Sequence, residues 1–192
     1  MGPRIAVVGT SGNGKTTVAR ELAERLGVPY VELDALFHGP DWTETPIDEF
    51  RRRVAAATEA DGWVVDGNYQ TKLGDLVLRR ADTVVWLDQP LPLLVWRITR
   101  RTISRIRRRE ELWNGNRESW RGGFFGWESM LAWTIRSYFS RRRLFPEQLA
   151  RHPDLVHLRS RRAIERWLSS AAPKEADRPV VSDGRTGEAR TS

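Results

Sequence analysis

The chain has 192 residues, 40% of them hydrophobic, with 32 basic against 25 acidic side chains and a net charge of +7. That is one domain's worth of chain with enough apolar material for a core, and no apolar run approaches the ~20 residues of a membrane span. Cysteine is absent, which excludes disulfides, thiol catalysis and thiolate metal sites and predicts a cytoplasmic protein.

RIAVVG (4–9) predicts a short buried strand that starts at Arg4, with no signal peptide before it. Residues 9–17 read GTSGNGKTT and match G-x-x-x-x-G-K-[ST], the phosphate-binding loop. Gly9, Gly12 and Gly14 remove Cβ atoms where the backbone turns its N–H groups toward one point. The run Gly9, Thr10, Ser11, Gly12, Asn13, Gly14, Lys15, Thr16 and Thr17 is the expected nucleotide cradle. Lys15 is set against the β- and γ-phosphates of the nucleotide, and the Thr16 hydroxyl against Mg²⁺. Residues 15–27 carry apolar positions at Val18, Leu22 and Leu26 and a Gly27 stop. The loop therefore opens a helix, whose N-terminus favours anions.

Further along, PYVELD (29–34) predicts a second strand and 47–60 a helix with Phe50 and Val54 on one face. WVVD (63–66) is a third strand, 71–79 a short helical stretch, and TVVWLD (83–88) a fourth strand. A long helix is expected over 90–109, an irregular segment up to residue 126, a helix over 127–143, a strand at 154–158 and a last helix at 161–170. Residues 173–192 are polar and without period, which predicts a disordered tail after a single domain. Strands alternating with helices imply an α/β protein with a parallel sheet. Ligands then sit beyond the carboxyl ends of the strands, where the loop, Asp34, Asp66 and Asp88 converge. Trp63, Trp86, Trp96 and Trp167 fall in the apolar pattern and read as core.

These pieces, with VELDAL, VVDGNY, VVWLDQPLPLLVWRITRR and EELWNGNRES, resemble the nucleoside-monophosphate-kinase-like branch of P-loop kinases. The likeness is greatest to the bacterial adenylate-kinase-related or DNA topology modulation group, and it covers residues 4 to about 170. It implies a P-loop NTPase three-layer sandwich with a five-stranded sheet of order 2-3-1-4-5. It also implies an arginine-rich helical lid over about 100–126. In that frame Asp66 serves Mg²⁺ together with Thr16, and Asp34 holds the acceptor. Arg97 packs on the adenine, Arg101 reaches the phosphates, and Arg105, Arg109, Arg117 and Arg121 are lid arginines. The resemblance leaves Asp88 either metal-linked or capping the helix that opens at Pro90. His38 and Trp42 are expected beside Asp34, Trp113 and Trp120 in the lid, and Gly122, Gly123 and Gly126 as hinges.

The chain departs from adenylate kinases at two places. DGNYQ (66–70) has no arginine where they have one, and Phe37 stands where they place another. Both missing cations grip the acceptor phosphate in those enzymes, which argues against AMP. Arg51, Arg52, Arg53 and Lys72 are the residues available to compensate. The expected function is transfer of the ATP γ-phosphate to a small-molecule acceptor, with Lys15, Asp34, Asp66, Arg101, Arg109 and Arg117 as the catalytic set. Two readings stay open beside it. One is a nucleotide-gated switch with slow ATPase activity. The other is a nucleic-acid-binding protein that uses the seven arginines between 97 and 109 as a basic stripe.

Overall fold

The computed structural model describes residues 2–127, 129–150 and 152–171. Five parallel strands form one sheet: β1 (Arg4–Gly9), β2 (Tyr30–Glu32), β3 (Trp63–Asp66), β4 (Thr83–Leu87) and β5 (Leu155–Leu158), in the order β2-β3-β1-β4-β5. This is the expected order. β1 lies between β3 and β4, with Val7 opposite Asp66 and Gly9 opposite Leu87. The loop after β1 therefore leaves the sheet between the ends of two neighbouring strands.

Alternate residues of β1 face opposite layers, as a strand's two-residue period requires. Ile5 and Val7 pack with Val18, Leu22, Ile164 and Leu168, the apolar stripes of α1 (Lys15–Leu26) and α8 (Arg161–Ala171). Ala6 and Val8 pack with Phe37, Phe50, Val54, Phe145 and Leu149. Those side chains come from α2 (Leu33–Phe37), α3 (Ile47–Ala57) and the last turns of α7 (Met130–Leu149). The remaining helices are α4 (Gln70–Leu73), α5 (Leu91–Arg108) and α6 (Trp120–Phe124). Among the described residues no helix is long and apolar enough to cross a membrane.

Several boundaries differ from the sequence reading. β2 ends at Glu32, and Leu33 to Phe37 coil into α2, so Asp34 sits in a helical first turn rather than at a strand end. α7 begins three residues late and continues to Leu149 through Pro146, because Phe145 and Leu149 bury into the core and hold the last turn in place. The expected tail lies outside the described residues.

Candidate functional site

The phosphate loop is fastened to the sheet by two side-chain amides. Asn68, after β3, accepts the Gly9 N–H on Oδ1 at 2.8 Å and donates from Nδ2 to the Gly9 carbonyl. Asn13, inside the loop, accepts the Gln89 N–H at 2.8 Å, and Gln89 Nε2 donates back to the Asn13 carbonyl at 3.0 Å. Gly9 has φ +148°, and a Cβ there would lie 2.4 Å from the Leu87 carbonyl oxygen. Gly12 has φ +83°, and its Cβ would meet Ile98 and the Leu94 carbonyl of α5 at 3.0 Å. Both glycines are required by close approach as well as by conformation. The sequence reading sets Asn13 against nucleotide. Its N–H instead bonds the Thr10 carbonyl at 3.2 Å and its side chain is turned inward, so its polar groups hold the loop in shape.

Thr16 donates its hydroxyl to Asp66 Oδ2 at 2.6 Å, which brings the expected metal pair together. Tyr30 also donates to Asp66 Oδ2, at 3.4 Å. Asp66 Oδ1 is buried and has no hydrogen-bond partner. Burial raises the Asp66 carboxyl, against the pull of Lys15 and Thr16. Burial likewise lowers the Lys15 ammonium, opposed by Asp66 and Asp34. One hydroxyl and one unpartnered carboxyl oxygen suit Mg²⁺, which takes few protein ligands and completes its shell with water and phosphate, while Lys15 is left for the phosphates.

Around Asp34, the expected acceptor residue, Tyr69 donates its hydroxyl to Asp34 Oδ1 at 2.7 Å. Burial and the Asp34 charge both raise the Tyr69 hydroxyl, so it remains the donor. His38 Nε2 lies 3.5 Å from the same hydroxyl, and its Nδ1 is buried without a partner. Phe37, Trp42 and Trp113 surround the His38 ring. Arg141 of α7, whose Nη1 reaches Ser137 Oγ at 3.5 Å, feels the charge of Asp34. Burial holds its guanidinium down to about 10, against the pull of Asp34 and Tyr69. Three of the four expected compensating cations are engaged: Arg51 with the Lys72 carbonyl, Arg53 with Glu49, and Lys72 with Glu44 and the Phe37 ring; Arg52 is exposed.

The arginines of α5 divide by face. Arg97 reaches the Gly12 carbonyl at 3.4 Å, against the loop. Arg101, one turn on, has a buried Nε with no partner, and burial and Arg105 lower its guanidinium. Arg105 pairs with Glu118 at 2.8 Å and Glu110 at 3.5 Å. An open cavity of about 390 Å³ runs along this face, lined by Trp96, Arg97, Arg101 and Arg105 among others. Arg100, Arg107, Arg108 and Arg109 are exposed. Arg109 ends α5 in a left-handed conformation, and Arg117 pairs with Glu111 on the lid surface at 3.7 Å. The structure thus gathers Arg97 and Arg101 at the loop and leaves Arg109 and Arg117 outside it. Arg121 is also exposed.

Other expectations are corrected. Asp88 neither caps α5, whose N-cap is Pro90, nor contacts Thr16. It is buried between His157 at 3.1 Å, Arg142 at 3.3 Å and Arg159 at 3.8 Å. Trp96 is 56% exposed, because the buried stripe of α5 is Leu94, Ile98 and Thr102; Arg100 covers its ring instead. Trp120 is half exposed beside Phe124. Gly122 and Gly123 lie within α6, and a Cβ on Gly123 would come 2.5 Å from Thr102 Cγ2, so Gly123 serves helix packing.

Shikimate kinase from Bacteroides thetaiotaomicron superposes with a TM-score of 0.54 over 88% of this chain and 96% of its own, at 17% identity. A gluconokinase from Sinorhizobium meliloti gives 0.52 over 88% and 89%, at 18% identity. Residues 5–65 match the model of the ATPase family associated with various cellular activities (AAA). The chain is 39% identical over 99 residues to a shikimate kinase from Symbiobacterium thermophilum, covering 44% of this chain and 56% of that protein. The chain is similar to P-loop kinases of the nucleoside-monophosphate-kinase-like kind. It spans about half the length of the curated relatives it matches. Four residues of this P-loop protein gave no sequence signal of their own: Asn68, Gln89, Tyr69 and Arg141. The first and third stand in DGNYQ, where only the missing arginine attracts notice. Arg141 is one of three consecutive arginines, and nothing in that run marks the one that turns inward.

Proposed function

We propose that this protein transfers the γ-phosphoryl group of Mg²⁺-bound ATP to a hydroxyl-bearing small molecule held at Asp34. The observation that carries the reading is the shared field of three groups: Lys15 feels both Asp66, bonded to Thr16, and Asp34, bonded to Tyr69. A phosphate-gripping lysine, a metal-suited pair and an acceptor carboxylate therefore meet at the carboxyl end of the sheet.

The triphosphate lies in the loop of residues 9–17, with Lys15 against its terminal groups and Arg97 beside Gly12. Thr16 and Asp66 would hold Mg²⁺, which would supply charge neutralisation on the phosphate oxygens. Tyr69 occupies one oxygen of Asp34, and the other accepts the hydrogen bond of the acceptor hydroxyl. That hydroxyl oxygen forms the new P–O bond to the γ-phosphorus. The bond from the γ-phosphorus to its bridging oxygen breaks, ADP leaves with that electron pair, and the hydroxyl proton passes to Asp34. Arg101 meets the charge on the transferring oxygens. Arg141 faces the acceptor and suits an anionic substituent there.

The test is ADP release by the purified protein with Mg²⁺-ATP, alone and with a panel of nucleoside monophosphates, nucleosides and small hydroxy acids and sugars. One acceptor class raises turnover, and Lys15→Ala abolishes it while the melting curve shows a folded chain. Turnover that survives in Lys15→Ala overturns the reading. ATP binding with no stimulation by any acceptor points instead to a nucleotide-gated switch.

A further inference from the structure

The segment ELWNGNRES (111–119) reads as a lid loop with a simple turn at Asn114-Gly115. Its structure does more than turn. Asn116 is 4% exposed and points out of the lid into the acceptor-side segment. Its Oδ1 accepts the Trp42 N–H at 2.8 Å, and its Nδ2 donates to the Gly39 carbonyl at 2.8 Å and to its own Trp113 carbonyl at 2.9 Å. Asn114 adds a bond from Nδ2 to the His38 carbonyl. Two side chains of the lid thus satisfy three backbone groups of residues 38–42, more than 70 positions earlier in the chain.

The segment so gripped is in a conformation it does not adopt freely. Asp41 and Trp42 are both left-handed, at φ +53° and +58°. A bulky residue such as tryptophan is rarely found there unless its surroundings enforce it. The Asn116 bond falls on the N–H of Trp42, the residue least suited to that conformation. With the segment held, His38 lies between Trp42, at 5.5 Å, and Trp113 of the lid, at 6.2 Å and nearly parallel. His38 in turn adjoins the Tyr69 hydroxyl that orients Asp34.

We propose that Asn116 is a positioning residue that joins the lid to the acceptor-side segment and builds the His38–Trp42–Trp113 wall beside the Tyr69–Asp34 pair. The wall is aromatic, which suits the face of a ring in the acceptor rather than an extended polar chain. This last consequence rests on the phosphotransferase reading; the join itself does not.

The experiment measures the join directly. The chain has no cysteine, so Arg52→Cys on α3 and Glu111→Cys in the lid place two nitroxide labels at exposed positions. Inter-label distances are read by pulsed electron resonance on the full chain, with and without Mg²⁺ and the non-hydrolysable ATP analogue AMPPNP. Asn116→Ala lengthens and broadens the distribution. Asn116→Asp, which keeps the acceptor for Trp42 and loses both donors, falls between it and wild type. AMPPNP affinity, measured by calorimetry, is unchanged in both, because Asn116 bonds no residue of the phosphate loop. A distribution in Asn116→Ala that superimposes on wild type overturns the proposal, and so does a loss of AMPPNP affinity that parallels the distance change. If Asn116→Ala does not fold, Asn114→Ala removes only the bond to the His38 carbonyl. It shifts the distance in the same direction by less, and no shift there overturns the proposal equally. A failed acceptor panel leaves these distances as they are, so the two readings fail separately.

Discussion

Replacing Asn68 by alanine removes both bonds between its amide and the Gly9 peptide groups. Each bond contributes about 1 kcal/mol net, and a backbone group left partly buried without a partner costs about 1–3 kcal/mol more. The site is part-buried, so water replaces some of the loss, and the sum is about 2–3 kcal/mol. For a domain of this size, 1 kcal/mol moves the melting temperature by roughly 2–4 °C, so Asn68→Ala melts about 5–10 °C below wild type. Asn68→Asp is no better. It keeps an acceptor for the Gly9 N–H but faces the Gly9 carbonyl with a second oxygen. Scanning calorimetry with and without Mg²⁺-AMPPNP provides the second readout. Ligand at about 100 times its dissociation constant stabilises wild type by roughly 2.7 kcal/mol, and the same concentration protects Asn68→Ala less because the loop is no longer fixed at its first residue. A variant that melts within about 1 °C of wild type, with equal protection by AMPPNP, refutes the argument that this amide fastens the loop.

Asp66→Asn tests the metal pair through pH. Burial raises the Asp66 carboxyl, so the folded chain keeps a proton that the unfolded chain releases at about pH 4. The stability this group contributes is full below that pH and is lost as pH rises through the raised value. The amide of the variant cannot titrate, so the ligand-free variant loses less stability than wild type between acid and neutral pH, while its AMPPNP affinity no longer responds to Mg²⁺. A thermal-shift series across pH checks both. Arg141→Gln removes the inward cation of α7. A hydrogen bond to a charged group contributes about 1.5–3 kcal/mol, so KM for an anionic acceptor rises roughly 10- to 100-fold while AMPPNP affinity holds. An unchanged KM removes Arg141 from the acceptor site.

The sheet was legible because buried parallel strands read as unbroken apolar runs, and RIAVVG, WVVD and TVVWL are such runs. The phosphate loop was legible because its chemistry is local: the turn, lysine and threonine all fall within residues 9–17. Asp34 and Asp66 were found as strand-end acids, although Leu33 to Phe37 coil and carry Asp34 into α2. The partners of these residues were not legible. Asn68 and Gly9 are 59 positions apart, Asn13 and Gln89 76, and Asn116 and Trp42 74. No periodicity links residues at such separations; only the folded topology brings them together. The arginines of 97–109 were legible in part: Arg97, singled out in the sequence, reaches the loop at the Gly12 carbonyl, whereas Arg109, read as a lid arginine, is exposed at the end of α5.

The two amides that fasten the phosphate loop also decide when its order is acquired. Asn68 holds the first residue of the loop and Asn13 its middle, and both bonds are made by the chain's own groups. The conformational entropy of the loop is therefore lost during folding and not at nucleotide binding. A triphosphate arriving there meets a loop already held at two points, so little of its contact energy goes into ordering the loop. Any ordering that accompanies binding is left to the acceptor side and the lid. On the proposed phosphotransferase reading, selection among acceptors then falls to that half of the site, with the nucleotide half as the fixed platform against which it is made.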